Sequence, residues 1–427
     1  MFKGLTKAEK SWIFFDWANQ SYVMIVMTTI MSLHFSQMAA SAGIDGEVSS
    51  AYWGLGNSIA TFIAGVLAPI LGTLSGYYGK KKLLFNFFNF LAIASTIGLA
   101  FVPEQYWWLL LIIFVISSIG FAGGSKIYDA FLVDVAPNEN MHRVSSLGFA
   151  MGYIGGAIAF IMAIILVVLA EFEIIEMSVA TAYRLSFLIA AIWWIIFYIP
   201  MLKNVSQKYG IEPEQQYIRK SFIRVWETLK EIMQYKKILL FLIAFFLYSD
   251  GVSSIIRMAT IYGETIGIGA MTLLLVLLVT QFVAFPFAII YGKMAAKFGA
   301  KKTIYFGIGT YVVVCLIALF MNPDRNLQTL TVMFWSLAML VGTAQGGIQA
   351  LSRSYFSKII PKEKSNEYFG IYNIFGRFAS IIGTTLFGVV ALATGQPHYG
   401  IAVIALLFIL AAIIFKFVPD DRTFIVE

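Results

Sequence analysis

Stretches of about twenty mostly apolar residues, the length a helix needs to cross a bilayer, recur along the whole of this chain. Twelve are present, near residues 12–37, 51–74, 83–102, 107–134, 145–170, 183–202, 238–262, 270–291, 303–321, 328–351, 368–393 and 399–418. Of the 427 residues, 59% are hydrophobic and 12% charged, about half the charge that a water-facing surface carries. The pattern predicts an all-α integral membrane protein of twelve transmembrane helices, and it excludes a soluble domain.

The placement of Lys and Arg tests this count, because a wrong number of spans would scramble their alternation between loops. With the N-terminus on the cytoplasmic side, the terminal segments and alternate loops hold 25 of the 30 Lys and Arg, whereas the opposite loops hold one, Arg325. The other four, Lys126, Arg184, Arg257 and Arg377, lie within or at the ends of spans. A multi-pass protein of the cell membrane with both termini cytoplasmic is therefore expected. The net charge of +7 comes from these short loop clusters, a topology signal and not a nucleic-acid surface. Lys3, Lys7 and Lys10 before an apolar stretch, with Ala40 to Ala42 after it, imitate a secretory signal. That stretch is too long for a signal core and contains Asp16, so it reads as a retained first span.

The most polar connection, 203–237, divides the chain into six-span halves at 1–202 and 238–427. Within it, Ser221 to Tyr235 (SFIRVWETLKEIMQY) has apolar residues at helical spacing and predicts an amphipathic helix on the inner interface. The halves repeat each other. GTLSGYYGKKK (Gly72 to Lys82) matches GKMAAKFGAKK (Gly292 to Lys302) at an offset of 220. GGSKIYDAFLVDVAP, ending at Pro137, matches GGIQALSRSYFSKIIP, ending at Pro361, at an offset of 223 to 224. Two matches at nearly one offset indicate a parallel duplication, the construction of many secondary transporters, whose substrate site lies between the halves near mid-membrane.

Other chemistries find no support. The single cysteine, Cys315, sits in an apolar run, and His34, His142 and His398 are scattered, so no disulfide framework or Cys-based metal site can form. No phosphate-binding loop or nucleophile motif is present. Neither an enzyme nor a cofactor is expected.

The two repeated loops resemble the cytoplasmic loop motif of the major facilitator superfamily. Both depart from it, with Gly76 and Ala296 at the position of its Asp. A resemblance over almost the whole chain is carried by FFDWANQSYV (Phe14 to Val23), VSSLGFAMGYIGG (Val144 to Gly156), FLYSDGV (Phe246 to Val252), QALSRSYF (Gln349 to Phe356) and NEYFGIYNIFGRFAS (Asn366 to Ser380). These look like the vacuole-effluxer-like branch of that superfamily, which includes the fungal autophagy-related protein that releases amino acids from the vacuole. The resemblance implies the major facilitator fold, two pseudo-symmetric six-helix bundles, with spans 1, 4, 7 and 10 lining a cavity. The run GFAMGYIGG also resembles the span-5 motif of superfamily antiporters, with Tyr153 where that motif has Pro.

Charged residues at membrane depth cost about 2.5–3.5 kcal/mol each on insertion scales and normally face a cavity or a partner. Asp16, Asn19 and Gln20 share one face of span 1; Asp16 is either a structural interfacial residue or an inner-mouth site. Lys126 and Asp129, three apart on span 4, can pair with each other or face the interior. Asp250 and Arg257 are two turns apart on span 7, with Asp250 near mid-membrane, where it is expected to bind the substrate's ammonium or a coupling proton, or to form a structural salt bridge. Arg377 on span 11, with Asn373 one turn earlier, offers a fork for a substrate carboxylate or pairs with Asp250. Gly148 and Gly152 make a small-residue face for close helix packing. The gate is expected to involve Gly72, Gly79 and Lys80 in the first loop, Gly292 and Gly299 in the second, and Arg353 and Glu367 at the inner ends of spans 10 and 11.

Cavity groups of both signs suit a zwitterion. The expected function is a monomeric secondary transporter of a small polar solute, an amino acid or similar zwitterion, working by alternating access with protons as coupling ions. The alternatives are an organic-anion or sugar carrier without proton coupling, or a transport-inactive receptor or scaffold.

Overall fold

The computed structural model describes residues 1–213, 217–321, 325–378, 381–395 and 397–421, without the side chains of a few helical residues, among them Arg377 and His398. The elements are α1 (Lys7–Tyr22), a π-helical turn (Val23–Met27), α2 (Ile30–Ser41), α3 (Gly46–Gly76), α4 (Lys80–Leu99), α5 (Trp107–Ala130), α6 (Leu132–Val135), α7 (Met141–Glu171) and α8 (Val179–Asn204). After the linker helix α9 (Tyr217–Gln234) come α10 (Lys236–Thr265), α11 (Ala270–Phe298), α12 (Ala300–Leu319), α13 (Leu327–Ile359), α14 (Ser365–Phe378), α15 (Ile381–Thr394) and α16 (Pro397–Phe415). Among the described residues, ten helical stretches are long and apolar enough to cross a membrane, and Ile382–Thr394 and Tyr399–Phe415 are shorter apolar helices. With α14 and α15 flanking residues 379–380 in the eleventh position and α16 in the twelfth, the fold is twelve transmembrane helices in two pseudo-symmetric six-helix bundles.

Local chemistry sets the helix ends. Thr6 and Glu9 form a reciprocal capping box at the start of α1, with Thr6 N donating to Glu9 Oε2 at 2.6 Å and Glu9 N to Thr6 Oγ1 at 3.2 Å. The first span, expected as one helix, turns π-helical after Tyr22 and is interrupted at Thr28 and Thr29. There Thr28 Oγ1 donates to Met24 O at 2.7 Å, and side-chain bonds back to a helical carbonyl bend helices. The two repeated loops each turn on a glycine in a positive-φ conformation, Gly79 at +75° before α4 and Gly299 at +95° before α12, which a side chain would strain.

Buried apolar side chains gather into two cores. One runs from Leu5 to Val205, and the other from Ile232 to Val418 with Ala130 added. Met1 and Lys3, near one end of the chain, and Asp421, near the other, come to the same side. Arg143 Nη2 donates to Met1 O at 3.0 Å and Lys3 O at 2.8 Å, and His142 Nε2 lies 2.9 Å from Asp421 Oδ2. The α3–α4 turn and the segment after α8 join there too, since Tyr78 N donates to Ile211 O at 3.0 Å. We call this end of the bundle the terminal face.

At that face the halves touch through equivalent glycines. A Cβ on Gly72 of α3 would lie 2.6 Å from Asn366 O of α14, and one on Gly292 of α11 would lie 2.8 Å from Ser146 Cβ of α7. Absence of a side chain at both places lets α3 close on α14 and α11 on α7. Beside the first contact, Lys81 and Asp134 form a fully buried pair at 2.5 Å. The second carboxylate oxygen of Asp134 accepts from Lys208 N and Tyr209 N at 2.7 and 2.9 Å, pinning the chain that leaves the first half.

Candidate functional site

Arg353 of α13 reaches across the interface into the first half. Its Nη1 donates to Asp129 Oδ1 at 3.0 Å, its Nη2 to Asp16 Oδ2 at 3.4 Å and Ser145 O at 3.2 Å, and its Nε to Ser145 Oγ at 3.0 Å. Three aromatic faces surround the guanidinium, with ring centroids at 4.6 Å for Trp12, 4.4 Å for Phe149 and 5.5 Å for Tyr128. A planar, weakly hydrated cation tolerates this enclosure because carboxylates, carbonyl and π-faces replace its water. An ammonium could not fill the same fork.

The first half holds its acids rigidly. Trp12 Nε1 donates to Tyr128 O at 3.1 Å and Tyr128 OH donates to Trp12 O at 3.0 Å, tying α1 to α5 so that Asp16 and Asp129 converge. Trp12 and Tyr128 also stack at 4.5 Å. Ser145 Oγ in turn donates to Ala350 O of α13 at 2.8 Å, so α7 grips the helix that carries the arginine. Two carboxylates against one guanidinium leave the cluster with a formal charge of −1 when all three are ionised.

Arg353 and Asp129 also border a cavity of about 310 Å³ between the halves, whose lining includes Phe149, Ser249, Gln349 and Asn373. The cavity draws on the middle of α10 (Phe245 to Ser253) and on α13 only as far as Arg353, so the charged cluster forms its wall toward the terminal face. Its mixture of aromatic rings, hydroxyls, amides and both charge signs suits a small polar solute.

The residues singled out in the sequence fall into distinct environments. Asp16, Asp129 and Arg353 come together at this cluster, and Asn19 is buried one turn beyond Asp16. Lys126 is buried and donates to Ala64 O of α3 at 2.5 Å. Asn373 lines the cavity and donates to Phe369 O at 2.8 Å. Asp250 is fully buried inside the second half, where its Oδ1 accepts from Gly383 N at 2.9 Å and Ser254 Oγ at 3.1 Å, and it is not among the cavity-lining residues. Arg257, two turns on, is exposed. The side chain of Arg377 lies outside the described residues. Glu367 is at the terminal face, 2.6 Å from Arg224 of α9, with Thr228 Oγ1 donating to it at 2.8 Å. Gly72 and Gly292 sit at the two glycine contacts between the halves, Gly79 and Gly299 sit in the turns beside them, and Lys80 opens α4.

Sequence reasoning missed Trp12, Tyr128, Ser145 and Phe149, whose apolar or small character matches any membrane helix. It also missed the clasp in which Asp421, beyond α16, meets His142 and Lys358 at 2.9 and 2.7 Å, with His142 Nδ1 2.8 Å from Ser354 Oγ. Nothing in local spacing links a residue after the last span with one before the fifth.

Comparison with known proteins places this architecture. Residues 46–424 match the family described as vacuole effluxer Atg22 like. The chain is 48% identical to the uncharacterized MFS-type transporter YxiO of Bacillus subtilis, over 99% of this chain and 97% of that protein. It is 25% identical to autophagy-related protein 22 of Yarrowia lipolytica, over 72% of this chain and 55% of that protein. Among solved structures, it resembles the proton:xylose symporter XylE with a TM-score of 0.75 at 13% identity, over 97% of this chain and 96% of the other, a likeness of fold. Two fused six-helix bundles, a charged cluster between them and these matches together make the chain a multi-pass membrane transporter that belongs to the Atg22-like vacuole effluxer family of the major facilitator superfamily.

Proposed function

We propose that the protein is a secondary active transporter of a small zwitterion, an amino acid or similar solute, working by alternating access across the plasma membrane with the terminal face toward the cytoplasm. The concentration of Lys and Arg in the segments of that face supports the orientation. One observation carries the mechanism: Arg353 of the second half is bonded to Asp129, Asp16 and Ser145 of the first, beside the central cavity.

In this arrangement the halves are clamped at the terminal face. A solute entering from the opposite side brings its own carboxylate to compete for Arg353 and its own ammonium group to pair with Asp129. Arg353 and Asp129 each then exchange one partner for another, which avoids stranding either charge at a cost of about 3–5 kcal/mol, and Asp16, released from Arg353, is left to take up a proton. With Arg353 turned to the solute, the clamp weakens and the halves part at the terminal face. Proton binding to Asp16 or Asp129 neutralises the negative charge of the cluster and couples the same step to a pH gradient. Asp250, held by Gly383 and Ser254, anchors α10 to α15 in this scheme.

The test is counterflow in proteoliposomes with labelled amino acids, their amides and their deaminated acids. The expected result is exchange of the zwitterions alone, reduced at least about tenfold by Asp129→Asn, equivalent to about 1.4 kcal/mol of lost contact. Exchange of sugars or of organic anions lacking an amino group, with none for zwitterions, would overturn the reading.

A further inference from the structure

Helix α9 presents three different sides. Ser221, Thr228 and Ile232 are buried against the protein, and next to them Arg224 and Glu231 pair with Glu367 and Lys364 at 2.6 and 2.8 Å. A second side carries Phe222, Trp226 and Met233, which are 56%, 59% and 60% exposed. Their spacing puts them on a single stripe of the helix. The third side holds the exposed Lys220, Glu227 and Gln234. Between stripe and polar side lie Ile223, 53% exposed, and exposed Lys230, its Nζ 5.7 Å from the centroid of the Trp226 ring, and exposed Lys236 and Lys237 follow at the start of α10.

Three large apolar side chains in a row at the polar end of a membrane protein need an apolar neighbour. One side on protein, one on the acyl boundary and one in water is the arrangement of a helix lying in the interface plane, and Trp favours that depth. The lysines bordering the stripe are placed where anionic head groups lie. The protein side of α9 also touches the gate. Glu367 opens α14 next to Asn366, whose Nδ2 donates to Ser75 O of α3 at 3.0 Å. Arg224, besides bonding Glu367, lies 5.2 Å from the centroid of Tyr77 just after α3.

We propose that α9 docks on anionic lipid head groups of the leaflet at the terminal face, and that this docking braces the closed contact between α3 and α14 through Arg224 and Glu367. Lipid charge then tunes how readily the terminal face opens. The second part rests on the alternating-access reading, whereas the docking itself does not.

The test uses the full chain in vesicles of phosphatidylcholine alone or with phosphatidylglycerol, in a Cys315→Ser background since Cys315 is the one cysteine. A polarity-sensitive dye is placed at Met233→Cys or, as the water-side control, at Gln234→Cys. Position 233 is expected to be shielded from an aqueous quencher, more so with phosphatidylglycerol, and position 234 quenched in both. Lys230→Gln is expected to reduce the phosphatidylglycerol effect about fivefold, the share of one basic residue at an anionic surface. In parallel, labelling of Ser253→Cys by an impermeant reagent from the terminal side is expected to slow with phosphatidylglycerol in the parent and not in Lys230→Gln. Equal quenching at 233 and 234 would overturn the docking. Shielding without any lipid effect on labelling would overturn the bracing. A chain that transports nothing still gives the dye result, so the two failures are separable.

Discussion

Asp129 and Arg353 stand 224 residues apart, the offset at which Pro137 and Pro361 close the repeated motif, and their side chains meet at 3.0 Å across the interface. A position close to a pseudo-two-fold axis meets its own counterpart. In a true dimer that would bring like against like. Fusing the repeats removes the constraint, and here one copy carries the acid and the other the base. The flanking positions have diverged as well: Tyr128 stacks on Trp12, while its counterpart Ser352 is 2.7 Å from Tyr248 OH.

This relationship predicts the outcome of a charge swap. Arg353→Asp places a third carboxylate beside Asp16 and Asp129 and is expected to destabilise by about 3–5 kcal/mol. Asp129→Arg alone is expected to cost a similar amount. Combined, the two substitutions restore one opposite-charge contact, and a double-mutant cycle on unfolding should give a favourable coupling of about 1–3 kcal/mol. Simple additivity would show that the pair does not interact.

Gly72 and Gly292 predict a conformational effect. A leucine at either place meets Asn366 O or Ser146 Cβ, which a single Cβ would already approach to 2.6 or 2.8 Å. Neither contact involves the end of a flexible side chain, so the halves must separate. Ser75→Cys with Asn366→Cys is expected to cross-link in the parent chain and at least about tenfold less with Gly72→Leu, as a shift of about 1.4 kcal/mol requires. Unchanged cross-linking would mean that the helices accommodate the side chain while closed.

The Lys81–Asp134 pair predicts an asymmetry between single and double substitutions. Both side chains are fully buried. Asp134→Leu strands the Lys81 ammonium and frees Lys208 N and Tyr209 N, so a loss of about 3–5 kcal/mol is expected. Lys81→Met together with Asp134→Leu removes both charges and should recover most of that loss. Thermal unfolding of the parent and the two variants reads the difference directly.

The spans and the duplication were legible because both are repeated at the scale of whole helices. Helix ends were less so. α3 begins at Gly46 and α13 ends at Ile359, beyond the segments read from hydropathy, because the ends of these helices are too polar to register as apolar. Site residues were legible as a need, not as a pairing. Buried charge in Asp16 and Asp129 demanded a partner, yet that partner is Arg353, 337 and 224 residues away. Three-residue spacing offered Lys126 to Asp129, whereas the structure aims Lys126 at Ala64 O and Asp129 at Arg353. Asp250 and Arg257 share a helical face, but about 10 Å of rise separates them, and only the first is buried.

The clasp at Asp421 predicts a pH dependence of definite sign. Burial pushes its carboxyl up, but hydrogen bonds and charge from His142 and Lys358 outweigh burial and hold it well below the usual carboxylate range. A carboxyl depressed on folding stabilises above its unfolded value, about 3.9, and loses that contribution as pH falls toward the lower folded value. The clasp joins the segment beyond α16 to the N-terminal end of α7, so it contributes to closure of the terminal face. Asp421→Asn is therefore expected to lower the unfolding temperature across neutral pH, with the difference from the parent disappearing only below about pH 4. His142→Gln in the same series checks that the imidazole is not the titrating group. A difference between parent and Asp421→Asn that vanishes between pH 5 and 7 would assign the transition to another residue and show that the Asp421 carboxylate does not hold the clasp.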